Sequence, residues 1–197
     1  MALPSIPEIL SNSSKLNTAL SILFEPSPIL TSNLVPQIFN QQPTITSYVE
    51  LISIAINIIN SWNDTLRAEF VAGHPRIGEI HNLSSLSAKE QGESVATTAT
   101  TTPPDVLSRL VHLNACYEWT YPGLRYITFV DGRSRADIVI EMENVLGIGH
   151  SMASADPPLV TFEAIDVGSD RWRNELNRAT EDVGKIAKNR LKALQAA

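Results

Sequence analysis

The sequence is short of cysteine, of positive charge and of long apolar runs, and each shortage excludes something. Cys116 is the single cysteine among 197 residues. Neither an intrachain disulfide nor a cysteine-based zinc cluster can form, which suits a reducing compartment. Fifteen basic residues face twenty-one acidic ones, for a net charge of -6. An approach to a phosphate backbone therefore starts from repulsion, and no nucleic-acid partner is expected. The longest apolar tract, Tyr48 to Ile59, is interrupted by Glu50, Ser53 and Asn57 and falls short of the ~20 residues that a membrane helix needs. No membrane partner is expected either. Met1 to Leu10 lacks a basic region followed by an apolar one, and the tail Leu194-Gln195-Ala196-Ala197 is no Ser-Lys-Leu address, so the expected location is cytoplasmic, with piggyback import into peroxisomes left open.

Familiar cofactor and nucleophile fingerprints are missing too. The chain has no phosphate-binding Gly-x-x-x-x-Gly-Lys-Ser/Thr loop, no Gly-x-Gly-x-x-Gly turn and no Gly-x-Ser-x-Gly elbow, which removes the support for nucleotide, dinucleotide and hydrolase readings. Four histidines are present: His74, His81, His112 and His150. His74 and His81 with Glu79 between them match neither the helical zinc pair nor a finger, so no metal is expected.

What is present is enough apolar sequence to build a core: 43% of residues are apolar and 18% charged, a balance that argues against overall disorder. The length fits one domain over 1–197 with room for an insertion. Helical spacing dominates. Leu16, Ala19, Leu20 and Leu23 follow Ser14 as a cap, and Ser27-Pro28 opens a second helix whose interior Pro36 should bend or end it. Ser47 and Glu50 have capping-box spacing before the apolar stretch Leu51 to Trp62, the expected central helix. Asp64 starts a short helix that Gly73-His74-Pro75 breaks. Ser87 and Glu90 repeat the capping-box spacing before Thr97 to Thr102 and Pro103-Pro104. Asp105 to Trp119 reads as helix, Tyr126 to Val130 as an extended link, and Ser134 to Gly147 as helix again. Residues 148–165 read as an inserted loop, expected to be more mobile than the helices. A long amphipathic helix with Trp172, Leu176, Ala179, Val183, Ile186 and Leu191 on one face closes the chain. The fold class is all-α: a single-domain helical bundle with one short extended segment.

A histidine held between glycine and proline just after a helix is unusually constrained. The block Gly73-His74-Pro75-Arg76-Ile77-Gly78 is followed by Ser87-Ala88-Lys89-Glu90-Gln91, by Leu113-Asn114-x-x-Tyr117-Glu118 and by Gly132-Arg133-Ser134. In this order and spacing the four blocks resemble the OHCU decarboxylases, which act on 2-oxo-4-hydroxy-4-carboxy-5-ureidoimidazoline, and the chain looks like a fungal-like member. The resemblance runs from the Glu25-Pro26-Ser27 turn to the last helix. The chain departs from the family at Tyr121-Pro122-Gly123, in the Thr-rich run and in residues 148–165, which bears on the pocket rim more than on its centre.

The resemblance implies His74 and Glu90 as the catalytic pair, Pro75, Ser87, Gln91 and Arg133 as substrate contacts, no cofactor, a small-molecule substrate, a homodimer, and S-allantoin as the product of urate breakdown. The chemistry is coherent. The electrons left by carbon dioxide can be accepted by the conjugated imidazoline, so no external electron sink is required. An imidazole with an ordinary pKa near 6.5 suits proton movement, Glu90 can orient it, and the Arg133 fork can hold a carboxylate or ureido oxygen. Each residue also has a plainer reading: Ser87 and Glu90 as a capping box, Arg133 as a surface residue, His74 as a loop histidine. The competing class is a non-catalytic helical binding or scaffold domain that keeps the pocket motifs.

Overall fold

The computed structural model describes residues 2–79, 102–151 and 153–196, and among them it is helical with no strand. The chain separates into two compact units, the first made of Met1–His74 with Asn174–Ala197 and the second of Pro75–Arg173. The Ser87 to Gln91 and Thr97 to Thr101 segments lie outside the described residues.

The first unit begins with α1 (Ile6–Ser11) and α2 (Ser13–Phe24). The cap of α2 is Asn12 rather than Ser14: its side chain accepts from the Ser14 and Lys15 amides, as a short polar side chain one residue ahead of the first turn does. Leu16, Ala19, Leu20, Leu23 and Phe24 are buried as their spacing requires. Beyond Ser27 the chain enters a wide π-helical turn, Leu30–Leu34, which runs into α3 (Val35–Gln41). Pro36 therefore sits in the first turn of α3, directly behind that wide turn, with no N–H to offer it. The bend expected at Pro36 takes the form of that wide turn. α4 (Tyr48–Ser61) carries the anticipated capping box of Ser47 and Glu50 and buries Leu51, Ile52, Ala55, Ile58 and Ile59. α5 (Asp64–Ala72) is capped by Asn63 and buries Phe70 and Val71.

The second unit contains α6 (Pro104–Thr120) and α7 (Arg135–Leu146), which pack against each other. The extended link between them buries Tyr126, Ile127 and Thr128. Ser134 and Asp137 form the capping box of α7, and Gly147 ends it with φ +70, a left-handed geometry that glycine adopts without a Cβ penalty. α8 (Asp170–Gln195) closes the chain. It buries Trp172, Leu176, Ala179, Val183 and Leu191, with Ala187 in place of the expected Ile186.

Residues 148–165 are more strongly tied than their composition suggests. The buried Arg109 of α6 reaches Glu143 of α7 at 2.7 Å and donates to the carbonyls of Ala153 and Asp156. Glu143 also holds His150 Nδ1 at 2.6 Å. His112 lies 2.9 Å from the Pro157 carbonyl, Trp119 donates to the Phe162 carbonyl, and the Ile165 amide donates to the Thr120 carbonyl. Burial works against the Glu143 charge, yet hydrogen bonds from His150 and Arg109 outweigh it and keep its pKa below the usual carboxylate value.

Candidate active site

His74 stands one residue past the end of α5. Its amide donates to the Val71 carbonyl at 3.1 Å, which extends the last turn of the helix. Gly73 is needed just before it: a Cβ there would lie 2.9 Å from Ser27 Cβ, so only glycine lets the end of α5 press against the turn that follows α2. The His74 ring is buried, 3% exposed, and meets the Phe70 ring edge-on at 5.6 Å between centroids.

Two charges of the same unit act on the ring, Glu25 and Arg190, both buried and paired at 2.7 Å. Arg190 lies seven residues after Val183 on the apolar side of α8. Glu25 closes α2 in an unusual backbone conformation, φ +68. Burial is the main cause that lowers the His74 pKa, Arg190 lowers it further, and Glu25 opposes both, with the result at about 4. The imidazole is therefore neutral at physiological pH, a weaker base than a free histidine whose protonated form readily gives its proton up. This replaces the ordinary pKa assumed from sequence. Glu25 and Arg190 were missed by the sequence reading, although an arginine on a heptad-spaced apolar row is a signal that a buried carboxylate waits for it.

In the second unit Pro75 is followed by Arg76, whose side chain forms a fork with Glu118. Arg133 is engaged at all three guanidinium nitrogens. Nε donates to the Val130 carbonyl at 3.0 Å, Nη1 to Glu141, and Nη2 to the Phe129 carbonyl and to Thr128 Oγ1. Glu141 in turn accepts from Tyr126 and Thr128. The arginine thus braces the end of the extended link against α7. Ser87, Glu90 and Gln91, like His81, lie outside the described residues. Among the described residues no three His, Cys, Asp or Glu side chains converge as metal ligands.

The model of one family, OHCU decarboxylase, matches residues 11–148. The chain belongs to the OHCU decarboxylase family. Every site residue read from the sequence falls within the matched span, which begins at the last residue of α1 and ends beside Gly147, where the expected insertion begins. Arg190 lies beyond it. A search of curated proteins gave no match. Membership places the chain among the decarboxylases of urate breakdown, enzymes of the carboxy-lyase type that act on a small molecule. No helix among the described residues is long and apolar enough to cross a membrane.

Proposed function

We propose that the protein decarboxylates 2-oxo-4-hydroxy-4-carboxy-5-ureidoimidazoline to S-allantoin without a cofactor, as one functional domain with an insertion at 148–165, and that it works as a homodimer. The family match over the segment that holds His74 carries this reading, and the buried, neutral state of that imidazole supports it.

In the proposed reaction the bond from the ring carbon to the carboxylate breaks, carbon dioxide leaves, and the electron pair enters the conjugated imidazoline. One proton must then reach the carbon that becomes the stereocentre. A neutral His74 takes the proton of the substrate hydroxyl as that oxygen becomes a carbonyl and returns it to one face of the ring carbon, while the ring nitrogen that received the electron pair takes a second proton from solvent, which balances the charge of the lost carboxylate. Glu90 orients the imidazole, while Pro75, Ser87 and Gln91 contact the substrate's neutral polar groups. Arg133 belongs to the same set by resemblance, and its engagement with Glu141 adds a bracing role.

The test is direct: freshly generated intermediate with and without protein, followed by circular dichroism. Faster appearance of one allantoin enantiomer supports the proposal. Unchanged spontaneous decay would leave a binding domain with the motifs of an enzyme.

A further inference from the structure

Two blocks singled out by sequence, Arg76-Ile77-Gly78 and Leu113-Asn114-x-x-Tyr117-Glu118, have no role in the chemistry just described. The structure brings them together within the second unit. Arg76 Nε donates to Glu118 Oε1 at 2.6 Å and Nη2 to Oε2 at 2.9 Å, a two-pronged fork that fixes direction as well as distance. The buried Asn114 donates to the Ile77 carbonyl at 3.0 Å and to the Leu110 carbonyl of its own helix at 2.8 Å. Gly78 adopts φ +81, and a Cβ on it would come 2.9 Å from Leu110 Cδ1, so the turn lies against α6 too closely for any side chain. The turn also closes on itself: the Glu79 amide donates to the Arg76 carbonyl at 3.2 Å, and the Arg76 amide donates to the Glu79 carboxylate at 2.9 Å. Three successive residues are thus fastened to one helix by an ion pair, a hydrogen bond and a close contact.

The chain passes from His74 through Pro75 directly into this turn. Proline fixes its own φ and restricts the residue before it, so little freedom remains between the fastened turn and the imidazole-bearing residue. We infer that Arg76 and Glu118 are positioning residues: together they form a clasp that sets the backbone from which His74 presents its ring to the substrate. The inference rests on the decarboxylase reading above. Neither residue needs to touch the substrate.

The Arg125 guanidinium bears on the experiment. Burial is the main cause that lowers its pKa, and Arg76 adds to this, while Glu118 and Glu79 oppose both. Exchanging the charges at 76 and 118 would set a new cation near Arg125, so neutral variants give the cleaner probe. Arg76→Gln, Glu118→Gln and the double variant form a cycle that reads the coupling. Each single variant should lower kcat by about 10–100-fold with KM changed less than about threefold, because a misplaced base loses transition-state stabilisation while ground-state contacts persist. The double variant should be no worse than either single one. Allantoin binding should keep its stoichiometry, and the Glu79 amide should lose hydrogen-exchange protection in all three.

Single variants with wild-type kcat would overturn the clasp. So would additive losses in the double variant, or losses that only track the fraction of protein able to bind allantoin. A wild-type protein that does not accelerate decarboxylation would refute the proposed function instead. The clasp would then be judged on the Glu79 amide, and unaltered protection in the variants would refute it as well.

Discussion

Arg133 donates to Glu141 across eight residues of sequence, and the same carboxylate accepts from Tyr126 and Thr128. A guanidinium engaged in this way supports the link between α6 and α7. The expected outcome of Arg133→Lys is therefore a loss of stability of about 1 kcal/mol, since the pair is partly exposed and lysine cannot reproduce the fork. Glu141→Gln should cost a similar amount. Thermal melts with parallel kcat/KM measurements decide between bracing and substrate contact: a drop in kcat/KM of tenfold or more at an unchanged melting temperature would assign Arg133 to the substrate.

The helical frame was legible because capping boxes and apolar spacing are local signals. Ser47 with Glu50 and Ser134 with Asp137 stand where their spacing places them. Arg190 in an apolar row asks for a carboxylate, but which one was not legible, since Glu25 is 165 positions away and only packing brings the two together. The anchoring of residues 148–165 was hidden for the same reason. Glycines and prolines advertise a loop, but the Arg109 and Glu143 side chains that fasten it belong to two helices that read as ordinary amphipathic elements. Of the site residues, His74 was visible through its motif. Its protonation state was not, because desolvation is a property of the folded surroundings rather than of the residue type.

A folded-state pKa of about 4 against an ordinary 6.5 makes His74 a source of pH-dependent stability. The unfolded chain binds a proton between those values that the folded protein does not, so stability is complete above about pH 6.5 and falls as pH drops toward 4. The full contribution is on the order of 3 kcal/mol. His74→Asn should flatten this part of the pH–stability curve, measured by urea unfolding at stepped pH. It should also lower turnover by about 10²–10⁴-fold near neutrality. An unchanged slope between pH 6.5 and 4 would mean that another group titrates there.

Glu143→Gln removes one member of an ion pair whose side chains are 4% and 2% exposed. The buried Arg109 charge would lose its compensation, at a cost of about 3–5 kcal/mol. The loss should also reach the segment beyond α7. Hydrogen exchange of the wild type should show protection at the Ile165 amide, which donates to the Thr120 carbonyl at 2.8 Å. The variant should exchange faster at Ser151, whose amide faces Glu143. Full protection at both positions in the variant would show that the segment holds by backbone contacts alone.

Charge and packing agree at Arg190 but make opposite predictions at its partner Glu25, which allows them to be separated. If the surroundings of His74 act on it through charge, Arg190→Met must raise its pKa and Glu25→Gln must lower it, because the arginine repels the imidazolium and the glutamate attracts it. If the variants act only by loosening the interior, water reaches the ring in both and both pKa values rise toward the ordinary one. Each variant breaks the buried ion pair and should be destabilised by about 3–5 kcal/mol, so melting temperature cannot tell the two accounts apart. The His74 ring can. A nitrogen-15 NMR titration of the folded variants reads its pKa without substrate and without activity, and shifts of opposite sign establish the electrostatic account. Two upward shifts would refute it.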